Sequence, residues 1–123
     1  MDFVEHINGQ IEWSYRTFGP GRRTKGVVDH IRKELVEILA DPRDLNEWID
    51  VITLGIDGAW RTGASARQIS DALAAKLVKN RNRTWPDWRT MSEDQAIEHD
   101  RNAEPSCHRH SPGCGHFNSE YEL

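Results

Sequence analysis

The sequence predicts an all-α protein, and three observations carry that expectation. Apolar residues recur at three- and four-residue intervals along four stretches of the 123-residue chain. Each stretch ends at a helix breaker: Gly19-Pro20-Gly21, Asp41-Pro42, Gly63 and Thr84-Trp85-Pro86. No run alternates apolar and polar residues over the length a strand needs.

The first helix is expected over 2–18, with Phe3, Val4, Ile7, Ile11, Tyr15 and Phe18 on its apolar side. A basic loop follows, with Arg22, Arg23 and Lys25. A second helix is expected over 27–40, striped by Val27, Val28, Ile31, Leu35, Ile38 and Leu39. Asp44 is a candidate N-cap for a third helix, and Glu47 three positions later gives a capping-box pattern. That helix runs through Trp48, Ile49, Ile52 and Ile56 to Trp60 and ends near Gly63. Ser65 can cap a fourth helix over 66–82. Proline at 86 forbids simple continuation, and a short helix is expected at 92–101 before a loop or tail.

Composition narrows the class. A chain of this length fits one domain with a modest core. The net charge of −4 hides an asymmetry: residues 1–89 hold 14 Lys+Arg against 13 Asp+Glu, whereas 90–123 hold 2 against 7. The expected organisation is a helical domain over 1–89 and a polar C-terminal extension over 90–123. No apolar run has the length of a membrane span, and the N-terminus lacks a secretory pattern, so a cytoplasmic protein without membrane contact is expected. A net negative charge gives no reason to expect a nucleic-acid partner.

Chemistry concentrates in two acidic pairs, Glu34-x-x-Glu37 and Glu47-x-x-Asp50. At i, i+3 each pair projects from one helix face. The Asp41-Pro42-Arg43-Asp44 stop between them turns the two helices back on each other. Four carboxylates from two facing helices suit a hard divalent cation, Mg²⁺ or Mn²⁺, and a cation so held suits phosphate chemistry. Glu34 and Glu37 flank the apolar stripe instead of opposing it. Leu54 falls among Glu47, Asp50 and Asp57, where a purely solvated face has little use for it. The plainer reading, ordinary surface charge on amphipathic helices, fits any one of these acids better than it fits the set. His30 shares the side of Glu34 and reads more readily as a neighbour than as a ligand.

On the fourth helix Lys76, Lys79, Asn80 and Arg83 continue the line of Ile69, Ala72 and Leu73. A solvated basic face belongs opposite the apolar stripe, so these groups point to phosphate oxygens. A basic helix C-terminus favoured by the helix dipole is the alternative. Trp85 and Trp88 flank Pro86, where they could stack on a nucleobase or anchor a core. Near the C-terminus Cys107, His108, His110, Cys114 and His116 could hold Zn²⁺, although their spacing matches no familiar finger and a loose tail reads better.

These residues resemble a known group. The two acidic pairs are similar to the metal-binding signature of MazG-like all-α nucleoside triphosphate pyrophosphohydrolases. The strings Phe18-Gly19-Pro20, Asp29-His30-Ile31-Arg32-Lys33-Glu34-Leu35, Glu47-Trp48-Ile49-Asp50-Val51, Asp57-Gly58-Ala59-Trp60-Arg61 and Lys79-Asn80 through Thr84-Trp85-Pro86-Asp87-Trp88 resemble the dATP/dGTP diphosphohydrolase branch of bacteria and phages. The resemblance covers about 10–89 and implies a four-helix fold, assembled as a homodimer or homotetramer. It implies conversion of a purine deoxynucleoside triphosphate to the monophosphate and pyrophosphate with Mg²⁺ or Mn²⁺. Carried over by position, Glu34, Glu37, Glu47 and Asp50 would hold metal, with Glu34 or Glu37 as the base. Lys76, Lys79, Asn80 and Arg83 would hold the phosphate chain, and Trp13, Phe18 or Trp85 would line the base pocket. Lys33 stands where the broader signature often has a second acid, which leaves the base and the number of metals open. A noncatalytic nucleotide or metal sensor of the same fold, and a helix-turn-helix DNA-binding regulator built on 65–83, are the competing readings.

Overall fold

The structure, a computed structural model, describes residues 1–101. Among them are four α-helices: α1 (Phe3–Phe18), α2 (Thr24–Ala40), α3 (Leu45–Trp60) and α4 (Ala66–Arg81). One turn of 3-10 helix follows at Trp88–Thr90, and there is no strand among the described residues. No described helix is long and apolar enough to cross a membrane. The cysteine and histidine cluster of 107–116 lies outside the described residues.

Local chemistry sets each helix end. Asp2 caps α1 by accepting the Glu5 N–H at 2.8 Å, and α1 stops where Gly19 takes a positive φ of 84°. Asp44 caps α3 by accepting the Asn46 N–H. The expected capping box is not completed, because the Asp44 N–H donates to Asp41 O and Glu47 turns toward other acids. Trp48 latches the intervening turn by donating Nε1 to Pro42 O at 2.9 Å. Ser65 and Gln68 form a reciprocal capping box at the start of α4, each side chain bonding the other's N–H. Gly63, with φ of 100°, provides the left-handed turn between α3 and α4.

Two boundaries differ from expectation. Helix α2 begins at Thr24, three residues before the apolar stripe, with Arg23 held left-handed at φ 46°. No helix forms over 92–101. That stretch is polar apart from Ala96 and Ile97, its Ser92 Oγ takes the Asp94 N–H in a local turn, and Asp100 N–H is drawn to Thr84 O.

The chain divides into two compact units, Met1–Val78 and a second beginning at Lys79. In the first, Ile7 of α1, Ile56 of α3, and Ala66 and Ile69 of α4 form the buried core, with Val4, Ile11 and Trp60 against it. Helices α2 and α3 form an antiparallel hairpin, and α1 packs across α3. Val27 and Ile38 hold α2 by burial, whereas Leu35 and Leu39 of the same stripe remain exposed. In the second unit Trp85 donates Nε1 to Asn80 O and meets His99 edge-on.

Candidate active site

The α2–α3 hairpin brings the acidic pairs together. Glu34 and Glu37 of α2 and Glu47 of α3 place one carboxylate oxygen each within 4.8 Å of one another. Asp50 lies one turn beyond Glu47, close enough for its charge to act on Glu34, and lines the same cavity as Glu34. Glu34 is buried, Glu47 half-buried and Glu37 exposed, so the group opens outward from the hairpin.

Such proximity is unfavourable for an isolated chain. A hydrogen bond with Glu37, burial, and the charges of Glu37 and Glu34 push the Glu47 carboxyl up to about 7. Burial, a hydrogen bond with Glu37 and the charges of Glu37 and Asp50 raise Glu34 as well. His30 Nε2 lies 3.4 Å from Glu34 Oε1, one turn back on α2. The second oxygen of Glu34 and one oxygen of Glu47 are buried with no hydrogen-bond partner. Oxygen donors that are crowded, short of protein partners and raised in pKa are what a hard divalent cation relieves, and the set fits Mg²⁺ or Mn²⁺.

Beside the cluster, α1, α2 and α3 enclose a cavity of about 610 Å³. Glu34 and Asp50 reach it from the acid cluster, and Trp13, Phe18, Val27 and Leu54 make its apolar walls. Trp13 and Phe18 meet edge to face at 5.4 Å, and the Arg23 guanidinium stands 5.6 Å over the Phe18 ring. Leu54, out of place on a solvated face, is half-buried here. A cavity of this size with apolar walls and a few polar groups suits a nucleoside-sized ligand.

A buried ion pair fixes one side of the cavity. Arg61 Nε donates to Asp57 Oδ2 at 3.2 Å, Nη2 donates to Ser14 Oγ, and Nη1 donates to the carbonyls of Gly19 and Gly21. Asp57 Oδ1 also accepts from the Ser14 hydroxyl and from Trp60 Nε1. Burial pushes the Asp57 carboxyl up, but Ser14, Trp60 and Arg61 together outweigh it and hold it below its usual range. Every polar atom of the guanidinium end has a partner, so the pair fastens the loop after α1 to the last turn of α3.

The remaining sequence-derived candidates are distributed as follows. Lys76 is exposed on α4, whereas Lys79, Asn80 and Arg83 are half-buried in the second unit. There Arg83 Nη1 donates to Asn80 Oδ1 at 3.1 Å. Trp85, 43% exposed, belongs to the same unit. Sequence reading passed over Ser14, Gln10 and Arg23, which all line the cavity. Asp57 and Arg61 carried a signal, an acid–base pair at i, i+4 inside an apolar stretch. Gln10 and Arg23 carried none, being an isolated amide on a helix and one cation among three in a loop.

Comparison with known proteins agrees with this fold. A model of the dATP/dGTP pyrophosphohydrolase family matches residues 6–104. The dATP/dGTP diphosphohydrolase of Cyanophage S-2L is 31% identical over 84 residues, spanning 67% of this chain and 77% of that protein. The solved structure of the Cyanophage S-2L MazG-like pyrophosphohydrolase, bound to dGDP and three catalytic Mn²⁺ ions per active site, superposes with a TM-score of 0.64. It is 27% identical and covers 85% of this chain and 97% of its own.

Proposed function

This chain belongs to the dATP/dGTP pyrophosphohydrolase family, and on that premise we propose that it hydrolyses dGTP or dATP to the monophosphate and pyrophosphate. The observation that carries the reading is the convergence of Glu34, Glu37 and Glu47 within 4.8 Å, next to an aromatic-walled cavity. Glu34, Glu37, Glu47 and Asp50 would hold Mg²⁺ or Mn²⁺. A cation bound there would offset the charge of the triphosphate oxygens and lower the pKa of a bound water, so that hydroxide forms near neutral pH.

The chain's own groups do the rest. Trp13 and Phe18 hold the base and sugar, which sets the α-phosphorus beside the acids. Glu37 or Glu34 accepts the proton of the attacking water. The water oxygen bonds to the α-phosphorus, the bond from that phosphorus to the α–β bridging oxygen breaks, and pyrophosphate leaves with the electron pair. From their positions in the sequence alone, Lys76, Lys79, Asn80 and Arg83 are proposed as ligands for phosphate oxygens, and Trp85 as a second candidate for contact with the base.

The apolar residues left exposed on α2 and α3, among them Leu39, Leu45 and Trp48, support assembly as a homodimer or homotetramer. A nucleotide substrate puts the activity in the cytoplasm, bacterial or phage-infected. The test is incubation with each of the eight common NTPs and dNTPs and Mn²⁺ or Mg²⁺. Pyrophosphate with a purine deoxynucleoside monophosphate is the expected product; orthophosphate with a diphosphate would overturn the assigned bond. Tight binding without product would favour a sensor. Retardation of duplex DNA at physiological salt would favour a DNA-binding regulator, which the net charge of −4 opposes.

A further inference from the structure

One wall residue of the cavity has an unmet hydrogen-bonding capacity whose direction is fixed. Gln10 of α1 donates Nε2 to the Thr53 carbonyl of α3 at 2.7 Å. That bond decides the orientation of the amide, because the reversed amide would set oxygen against oxygen. Gln10 Oε1 is left buried without a hydrogen-bond partner. An acceptor left without a partner is unfavourable, so once the side chains over it turn aside, Oε1 calls for a donor from the occupant of the cavity that Gln10 lines.

The surroundings leave room for one. Gly9 also lines the cavity, and a Cβ placed on it would meet nothing within 4 Å, so the wall beside Gln10 is bare backbone. His6 and Trp13, one turn to either side on the same face of α1, are exposed side chains that can turn aside. A planar ring with a donor on its edge can slide along that strip, toward the apolar walls.

We propose that Gln10 is a specificity-determining residue that reads the nucleobase through Oε1 as an acceptor alone, selecting purines that present a donor on the Watson–Crick edge. The inference rests on the reading of this cavity as the nucleoside pocket. Guanine offers N1–H and its 2-amine, and adenine offers its 6-amine; unsubstituted purine offers no donor there. With Nε2 spent on Thr53, Gln10 cannot compensate by donating. A donor-less purine therefore leaves Oε1 orphaned in the occupied site, and discrimination follows from that unpaired atom.

The test compares kcat/KM for dGTP, dATP and 2′-deoxynebularine triphosphate, whose base is unsubstituted purine, in the wild-type chain and in Gln10→Leu. Wild type is expected to favour the better natural purine over the analogue by about 10- to 100-fold, the size of one buried hydrogen bond. In Gln10→Leu the natural substrate loses that factor, the analogue does not, and the ratio falls to near one. A wild-type ratio near one would overturn the proposal with no variant needed, as would a preference that survives in folded Gln10→Leu. Failure of every nucleotide to release pyrophosphate would instead count against the proposed reaction.

Discussion

Replacing Arg61 with Met keeps the unbranched stem and removes a guanidinium whose side chain is 1% exposed. The substitution strips Asp57, 9% exposed at its side chain, of its cation. It also frees the carbonyls of Gly19 and Gly21, which accept at 3.0 and 2.9 Å. Breaking one partner of a buried, hydrogen-bonded pair costs about 3–5 kcal/mol, mostly through the charge left behind. For a chain of this size that lowers Tm by roughly 10–20 °C. Denaturant melts in EDTA, followed by circular dichroism, measure it without contribution from bound metal. Asp57→Leu combined with Arg61→Met should lose less than the two singles summed, since the double variant buries no orphaned charge. A loss below about 1 kcal/mol for Arg61→Met, or strict additivity, would refute the reasoning. Acid gives a second check. Because Asp57 is held below its usual 3.8, its contribution is present above that pH and disappears as pH falls through the lower, folded value.

Glu37→Gln should abolish pyrophosphate release and yet raise the Tm of the metal-free protein, because it removes a charge that pushes Glu34 and Glu47 up; full activity would exclude Glu37 from the metal site. Glu47 binds its proton more tightly folded than its ordinary value of 4.5 allows. Metal-free stability should therefore decline as pH rises from about 4.5 to about 7. Mn²⁺ should reverse that slope, since binding requires the carboxylates deprotonated, and melts at pH 5 and 8 with and without the ion decide it. Gly9→Trp should fill the open wall of the cavity and raise KM at least tenfold. Its stability should hold or improve, because glycine inside a helix costs about 0.8–1.0 kcal/mol relative to alanine; an unchanged KM would remove the cavity from substrate binding.

The features legible in sequence were those with a period or a local chemical reason. Asp44 and Ser65 mark helix starts through one short side-chain bond each, so the starts of α3 and α4 could be read nearly to the residue. The acidic pairs were legible because i, i+3 spacing on two helices separated by a proline turn leaves few ways to arrange them. Gln10 was not legible, since its meaning lies in a carbonyl 43 residues away. The early start of α2 was hidden because it depends on Arg23 adopting a positive φ, which its side chain does not advertise. Leu35 and Leu39 fit the stripe of α2 but stay exposed, because periodicity says which face is apolar and not what covers it.

The bonds from Arg61 to Gly19, Gly21 and Ser14 span 42, 40 and 47 residues, and this has a consequence for how the molecule forms. Helices α1 and α2 can each wind from local sequence, but the glycine-proline loop between them is held by a side chain at the far end of α3. Closure of that long loop comes before its reward, so the rim carrying Phe18 and Arg23 should set late along the folding pathway. A chain stopped short of residue 61 would have its first helices and most of its acids, and no finished place to put a nucleotide.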